Sequence, residues 1–509
     1  MPAFVFSQKV TKIKLLGANS LEYDSNRGVN LKRLIGNVKF QHENAIMSCD
    51  SAYLYETNKL DAFGNVYINQ ADTVHIYGDK LKYEGNTRKA EIINNVRLID
   101  SDMTLTSNNL TYSMKNDIGY YTGGGKVVSA KNSNALTSNS GYYYSKSKEF
   151  FFKDNVILVN PEYEIYSDTL QFNTVSEIAF FFGPTSIRSK ENFIYCENGW
   201  YDTKYNLSQF KKNAYLITPE QKLQGDSLYY DRESGIGKVF RNVLITDTIN
   251  KFLINGGYAI HYEKEEKSTI TGKPLLTMIF DKDSLFLHAD TLYAVMDSTK
   301  KHRIIHAYHK SKFYKQDLQG ACDSLVYSMS DSTIQLYTMP VIWSKENQMT
   351  AELINIKTSG GKIEKMTMTT NGFIISQEDS LNYNQIKGKV IVAGFNKNEL
   401  HRIDVTGNGE TIYFTREDNG SLFGVNKAIS SDLLIFIKDN EIDKISFINK
   451  PEATLYPIKD IPADDLKLKN FQWRAAQRPQ TKEDIFKRDH FPIPPVVSKR
   501  VKNYEEKTR

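Results

Sequence analysis

Apolar and polar residues alternate in short runs along most of the chain, and these runs recur at a nearly fixed interval. Each run opens on a polar residue, usually Asp, Asn or Glu, and most runs close on an aromatic residue. The twelve runs begin at Asn19, Asp50, Asp79, Asn108, Asn139, Asp168, Glu197, Asp226, Asn255, Asp290, Asp323 and Glu352. Seven of the eleven steps between them are 29 residues. A fixed period of this length indicates stacked structural units.

The repeat predicts strands, because apolar residues two positions apart lie on one face of an extended backbone. A second phrase falls between the runs. It occurs as Gly36-Asn37-Val38, Gly64-Asn65-Val66, Asn94-Asn95-Val96, Asp154-Asn155-Val156 and Arg241-Asn242-Val243. Gly and Asn tolerate left-handed backbone angles, so we expect these phrases to be turns that lead the chain into the next strand.

These patterns predict an all-β fold, an elongated β-jelly-roll or β-solenoid. Aromatic residues make up 12% of the chain, and seven of the 13 prolines lie at or beyond residue 451. The step from Asn255 to Asp290 is stretched to 35 residues by a charged insertion, which indicates a break. We therefore expect an N-terminal segment at 1–17, repeat regions at 18–262 and 276–456, an insertion at 263–275 and a Pro-containing basic tail at 457–509.

The net charge of +5 is concentrated at the C-terminus. Residues 458–509 contain 13 Lys/Arg and 8 Asp/Glu, so the rest of the chain is neutral. A nucleic-acid groove needs a concentrated cationic stripe, so the repeat region is not expected to bind nucleic acid. The tail is interpreted as a solvated extension, with contact to anionic lipid headgroups as the alternative.

The two ends of the chain leave several interpretations open. Leu466–Leu468 and Phe471–Trp473 fit a last strand or a short helix, and Thr481–Asp484 fits a helix capping box. Trp473 is interpreted as a plug for the open end of the stack. At the other end, Met1–Lys9 resembles the last part of a signal peptide, which predicts further coding sequence upstream. No apolar run reaches the length of a membrane-spanning helix.

No pattern of catalytic or metal-binding residues is found. The polar residue that opens each run could form a Ca²⁺ column, but a turn-forming side chain that bonds to nearby backbone N–H groups is the simpler interpretation. On a strand, His302 and His306 would be about 13 Å apart, too far to share one metal ion. Gly123–Lys126 lacks the remainder of a phosphate-binding loop. We predict no enzyme activity, no cofactor and no metal.

The two recurring phrases together resemble the OstA/LptA family of organic-solvent-tolerance proteins. The phrases that carry the resemblance are Gly36-Asn37-Val38, Gly64-Asn65-Val66, Gly78–Tyr83 and Gly225–Tyr230. The ending, with Phe471–Arg474 and Lys482–Phe486, is similar to the ending of the long members from the Bacteroidota. The resemblance implies a periplasmic β-jelly-roll with a V-shaped cross-section, whose apolar groove carries lipopolysaccharide to the outer membrane.

That resemblance also implies partners and a location. The partners would be lipopolysaccharide or its lipid A, and other envelope lipid-transport proteins joined end to end by strand pairing. Head-to-tail oligomers and association with the outer membrane are compatible with it. The groove would be lined by the second and fourth residues after the opening polar residue of each run. These are Leu81, Tyr83, Leu110, Tyr112, Leu170, Phe172, Leu228, Tyr230, Leu325 and Tyr327.

The sequence leaves three functions open. The first is a lipid conduit, which needs an open apolar interior. The second is a secreted β-solenoid that binds or cleaves polysaccharide, and the third is a purely structural repeat protein with a closed core. The pattern of inward residues is the same in all of them, so sequence alone does not decide whether the interior is a groove or a filled core.

Overall fold

The computed structural model describes residues 11–23, 31–131, 133–190, 192–219, 221–280, 283–396, 399–417, 419–438 and 441–488. Most of the predicted N-terminal segment and the end of the predicted tail lie outside these residues. The chain divides into two compact units, residues 1–268 and 269–509. The finer domain bounds given above remain predictions. No helix in the described part is long and apolar enough to cross a membrane.

Unit 1 is built from antiparallel strands that follow one another in chain order. From β3 to β18, each strand pairs with the next. Its described strands are β1 (Lys14–Gly17), β2 (Ser20–Tyr23), β3 (Lys32–His42), β4 (Ala45–Tyr55), β5 (Lys59–Gln70), β6 (Val74–Glu84), β7 (Lys89–Ile99), β8 (Met103–Ser113), β9 (Ile118–Ser129), β10 (Ala135–Tyr144), β11 (Glu149–Val159), β12 (Tyr163–Asn173), β13 (Ile178–Ser189), β14 (Phe193–Asp202), β15 (Leu207–Ile217), β16 (Gln221–Asp231), β17 (Ile236–Asp247) and β18 (Phe252–Tyr262).

Every long strand of unit 1 pairs through a register shift near its middle. In β5, Gly64 and Asn65 have φ angles of 74° and 41°, and the pairing with β4 shifts at this point. Asn94-Asn95 in β7 and Asp154-Asn155 in β11 repeat the arrangement. These are β-bulges, which bend a strand. The prediction that the second phrase forms turns between strands is therefore wrong, because the left-handed pairs lie inside strands such as β5, β7 and β11 and divide them into two arms.

The polar residue that opens each run lies at the same bend. Asn65 Nδ2 donates a hydrogen bond to Asp50 at 2.9 Å, and Asn95 Nδ2 donates to Asp79 at 2.7 Å. Asn242 and Asp226 form the same pair at 2.9 Å. At these corners the opening acid accepts from a bulge asparagine on the neighbouring strand, instead of from the backbone of a turn as the sequence suggested. The pairs tie successive strands together at their corners.

Unit 2 is also antiparallel β. The strand Lys267–Thr271 (β19) contains the division between the units. The described strands that follow are β20 (Leu275–Ile279), β21 (Ser284–His288), β22 (Thr291–Met296), β23 (Arg303–Lys315), β24 (Leu318–Ser328), β25 (Thr333–Tyr337), β26 (Val341–Ser344), β27 (Asn347–Thr350), β28 (Leu353–Ser359), β29 (Lys362–Gln377), β30 (Tyr383–Asn396), β31 (Glu399–Arg416), β32 (Leu422–Lys438), β33 (Glu441–Ile448) and β34 (Glu452–Pro457). The predicted all-β fold is confirmed in both units.

Residues 458–488, the C-terminal segment, pack on unit 2 as irregular chain with three short 3-10 helices. These are Ala463–Leu466, Ala475–Gln477 and Lys482–Phe486, and the last begins with the predicted capping box of Thr481 and Asp484. The segment covers one sheet face through a core of Phe373, Ile375, Ile412, Phe414, Val425 and Leu468. This face is opposite to the one that carries Met349 and Ile374, which are also buried. That part of the sheet is therefore covered on both sides.

Two buried glutamines hold the C-terminal segment. Gln385 donates to the carbonyl of Leu466 at 2.8 Å and accepts from the N–H of Leu468 at 2.9 Å. Gln348 does the same for Gln472 and Arg474, at 2.7 and 2.6 Å. Each side-chain amide thus bonds to the backbone of the segment as a neighbouring strand would.

Trp473 lies within the C-terminal segment, with its ring centroid 5.2 Å from that of Tyr383. Tyr383 and Trp473 both pack against the core that this segment forms with the sheet. The interpretation of Trp473 as a plug for the open end of the stack is therefore wrong. The tryptophan covers a sheet face because the segment runs back over the strands instead of continuing past the last one.

Candidate functional site

The inward side chains of unit 1 form columns that run from strand to strand. The column nearest the bend, here called the base column, is continuous from β5 to β18 through the pairing register. Its members are Ala62, Leu81, Ile92, Leu110, Tyr121, Gly141, Phe152, Leu170, Phe181, Gly199, Phe210, Leu228, Val239 and Ala259. All of them are buried. The base column therefore gives unit 1 an unbroken apolar floor.

A second column on the same arm, the rim column, lies two residues further from the bend. From β6 onward it alternates between large and small side chains, since the aromatic residue of each run faces a small residue on the next strand. Its members are Tyr83, Ala90, Tyr112, Gly119, Tyr143, Phe150, Phe172, Ala179, Tyr201, Ser208, Tyr230, Gly237 and His261. Phe150 breaks the alternation and stacks on Tyr143 with ring centroids 4.3 Å apart.

The other arm of each strand contributes a third column, the opposite column, and its burial changes along the unit. Phe40, Ile68, Ile76 and Leu98 have no exposed surface. From β11 on, most members of this column are only half-buried. These are Leu158, Ile187, Ile194, Leu216, Leu223 and Ile245.

The rim column changes in the same place, because Phe172, Tyr201 and Tyr230 are half-buried whereas Tyr112 is fully buried. The interior thus has a closed segment from β3 to β10 and an open segment from β11 to β18. In the open segment, apolar side chains of both arms reach solvent above a buried floor. A cavity of about 80 Å³ lies where the two segments meet, and Phe150, Leu158, Phe172 and Tyr201 are among its lining residues.

Polar bonds between the two arms cross the mouth of the closed segment. His42, at the end of the opposite arm, is buried, and its Nδ1 lies 2.6 Å from the hydroxyl of Tyr83 in the rim column. Nearer the open segment, Asp100 on the opposite arm accepts hydrogen bonds from the hydroxyl of Tyr143 and, at 2.9 Å, from Lys148 Nζ. We call this second group the Asp100 clasp.

Burial and hydrogen bonding act in opposite directions on the pKa of Asp100. Burial raises it, but the hydrogen bonds from Tyr143 and Lys148 and a backbone N–H hold the pKa below its ordinary value. The pKa of Tyr143 is raised by burial and by its bond to Asp100. The clasp is therefore formed by an ionised carboxylate and a neutral phenol.

The Asp100 clasp gives a pH dependence with a defined sign. A carboxyl group whose pKa is lower in the folded state stabilises that state above its unfolded pKa, near 3.9, and loses this contribution as the pH falls through the folded pKa. We expect the stability difference between the wild type and Asp100→Asn to be constant above about pH 5 and to shrink below about pH 4. Urea unfolding measured from pH 3 to 7 tests this. A difference that stays constant down to pH 3 would contradict it.

The residues predicted to line a groove point into the interior, but most of them are deeply buried. Leu81, Tyr83, Leu110, Tyr112, Leu170 and Leu228 are buried in unit 1, and Leu325 is buried in unit 2. Phe172 and Tyr230 in unit 1 and Tyr327 in unit 2 are half-buried. Four of the ten lie in the open segment: Phe172 and Tyr230 are half-buried there, and Leu170 and Leu228 belong to its buried floor. Whether any of these ten residues contacts a lipid remains a prediction.

Sequence reasoning missed the opposite column. Several of its residues lie two positions after the valine of the second phrase, as Leu158 follows Val156 and Ile245 follows Val243. Others, such as Ile194 and Leu223, lie three positions before the opening polar residue of a run. Because the second phrase was interpreted as a turn, the residues after it were not assigned to the interior. The repeated Val-x-Leu/Ile pattern was the available signal.

The described residues contain no group of three or more His, Cys, Asp or Glu side chains suited to hold a metal ion. Of the histidines considered in the sequence, His306 has its Nδ1 3.0 Å from the hydroxyl of Tyr308. Two further histidines have other partners: His288 Nδ1 lies 2.7 Å from the carbonyl oxygen of Pro274, and His309 Nδ1 lies 3.0 Å from Asp323. The cysteines Cys49, Cys196 and Cys322 are free and buried.

Comparison with known proteins identifies one family. Residues 10–168 match the family described as OstA-like protein, so the recognised resemblance is confirmed for that part of the chain. No curated protein matches the sequence. Among solved structures, one match is described as LptH, the LptA homologous periplasmic component of the lipopolysaccharide transport device from Pseudomonas aeruginosa. It has 14% identity and a TM-score of 0.19, and the match covers 20% of this chain and 77% of that one.

Proposed function

Because residues 10–168 are OstA-like, we propose that unit 1 is a lipid conduit that holds the acyl chains of lipopolysaccharide, or of a related glycolipid, during transfer across the periplasm. The conduit is not an enzyme in this proposal. The observation that carries it is the open segment, where half-buried apolar side chains of both arms face each other above a continuous buried floor.

The energetics of the cargo fit such an interior. Each methylene group removed from water contributes about 0.8 kcal/mol, so exposing one acyl chain of 12 to 14 carbons costs on the order of 10 kcal/mol. A lipid that moved through water would meet this barrier at every step. Along the open segment successive strands offer nearly equivalent apolar positions, such as Leu216, Leu223 and Ile245. A chain can therefore advance from strand to strand without leaving apolar contact.

The proposal includes partners at the strand edges. β1 and β2 pair with β3 on one side. Leu16, Leu21 and Tyr23 on these short strands are exposed. An edge strand of this kind pairs readily with another strand. We propose that another envelope lipid-transport protein, or a second copy in a head-to-tail oligomer, adds a strand here and extends the conduit.

Site-specific photocrosslinking to lipopolysaccharide tests the conduit. A photoreactive residue replaces Ile245, which faces the interior of the open segment, and Leu244 is the matched control because it is the next residue and faces outward. We expect lipid adducts from position 245 and at least tenfold fewer from position 244. Equal yields at positions 245 and 244 would contradict the proposal. So would the absence of adducts at both position 245 and the equivalent interior position 216.

A further inference from the structure

Unit 2 has an interior opening of its own near its last strands. A cavity of about 360 Å³ lies between the two arms of β31 and its neighbours. Its apolar wall is formed by Ile386, Leu400, Ile403, Ile437, Ile442 and Ile445. Ligand pockets have volumes of roughly 300–1,000 Å³, so this space, here called the unit 2 chamber, is large enough for a small ligand or one hydrocarbon chain.

The chamber differs from the packed interior beside it. Ile391 and Val405, on the same inward face, are buried to within 1%. By contrast Ile437, Ile442 and Ile445 are only half-buried, although they face inward. Protein interiors are close-packed and contain few voids larger than a water molecule. The isoleucines of the chamber therefore form an apolar wall that is less tightly packed than the interior beside it and partly exposed to solvent.

A buried polar atom points to a ligand with an acceptor or donor group. Thr411 lines the chamber, is 2% exposed, and its hydroxyl has no hydrogen-bond partner among the described residues. Leaving a buried hydroxyl unpaired costs about 1–3 kcal/mol. A ligand carbonyl oxygen in the chamber would accept a hydrogen bond from this hydroxyl.

The charges around the chamber decide between ligand classes. Its charged lining residues are Glu346, Glu378 and Arg416. Arg416 Nε already donates to Glu378 at 2.6 Å, and Asn384 also donates to Glu378, at 2.7 Å. The charged residues that line the chamber thus carry a net negative charge, which disfavours the binding of a free carboxylate.

We propose that the unit 2 chamber binds one ester- or amide-linked acyl chain, with its carbonyl on the hydroxyl of Thr411. The proposal rests on the proposed function only for the class of ligand, since the chamber lies outside the OstA-like residues and outside unit 1. In this proposal the chamber is a second lipid site, separate from the open segment. It binds a neutral acyl group in preference to a free fatty acid.

Photolabelling of the full chain tests the chamber directly. The probes are the methyl ester of a 12-carbon, diazirine-bearing fatty acid and the corresponding free acid, and adducts are mapped by mass spectrometry. We expect ester adducts within residues 383–448, with a yield at least fivefold higher than from the acid. Adducts confined to residues 149–262 would overturn the chamber and leave the open segment standing. Adducts in neither region would overturn both.

Matched substitutions separate the chamber from its surroundings. Ile445→Trp fills it from the inward face of β33, whereas Lys444→Trp places the same side chain on the outward face. We expect labelling within residues 383–448 to fall at least tenfold in the first variant and to be unchanged in the second. Equal labelling in both variants would overturn the proposal, and the wild-type adduct map decides the matter if Ile445→Trp fails to fold.

The hydroxyl has a test of its own. Thr411→Val keeps the shape of the side chain and removes its donor. We expect two- to tenfold weaker labelling by the ester and no change with the acid. Unchanged labelling by the ester together with a higher melting temperature would show that the hydroxyl is only an unpaired group, and would overturn its role in binding.

Discussion

Removing residues 458–509 is expected to abolish cooperative folding of unit 2. The truncation uncovers a sheet face whose Phe373, Ile375, Ile412, Phe414 and Val425 are buried under the C-terminal segment. Burial of one such side chain contributes about 1.5–3 kcal/mol, so uncovering the five costs up to about 8–15 kcal/mol. This is comparable with the whole stability of a typical domain.

Tryptophan fluorescence measures this effect. Trp343 is 1% exposed and lies in unit 2, whereas Trp200 lies in unit 1. Trp473 is removed with the segment, so the full-length reference carries Trp200→Phe and Trp473→Phe, and the truncated protein carries Trp200→Phe. We expect the emission of Trp343 to shift to the red in the truncated protein, without a cooperative urea transition. An unshifted, cooperative transition would show that the segment is dispensable.

A pair of point substitutions serves as the control for the truncation. Leu468 is buried in the core that the segment forms, and Lys469 beside it is exposed. Leu468→Ala is expected to lower the free energy of unfolding by about 2–5 kcal/mol. Lys469→Ala is expected to change it by less than about 0.5 kcal/mol.

The second large effect is expected from Asp100→Ala in unit 1. The substitution leaves Lys148 and the hydroxyl of Tyr143 without the carboxylate that both donate to. Removing one partner of a buried charged pair typically costs about 3–5 kcal/mol. Because the clasp joins the two arms, we expect the loss to appear as opening of the closed segment next to it.

Hydrogen exchange locates that loss. Faster exchange is expected in β8 and β10–β11, with little change in β16–β18. Asp168→Ala, which removes an exposed carboxylate of the same unit, is the control and is expected to leave exchange unchanged. Uniform exchange changes across unit 1, or none in β8, would show that the clasp does not hold the arms together.

The strands and their inward faces could be predicted from the sequence because both depend on local patterns. Alternation over two residues identifies a strand face, and the step of 29 residues identifies equivalent strands. The bend of each strand was misassigned, since a pair of left-handed residues such as Asn94-Asn95 fits a turn as well as a bulge. Only the pairing of whole strands distinguishes the two.

The closed and open segments could not be predicted, because they depend on contacts between residues far apart in the chain. The bond between His42 and Tyr83 spans 41 residues, and that between Asp100 and Tyr143 spans 43. The C-terminal segment depends on still longer separations, such as the 124 residues between Gln348 and Gln472. The sequence shows these residues as ordinary polar positions, and nothing local distinguishes them from solvated ones.

The alternation of large and small side chains along the rim column limits how such a chain can grow or shrink during evolution. Loss of a single strand would reverse the chain direction and place two aromatic residues, such as Tyr112 and Tyr143, on adjacent strands. Loss or duplication of a whole hairpin preserves both direction and size matching. Natural relatives of different length are therefore expected to differ by whole hairpins, and a designer could shorten or extend the molecule in the same increments.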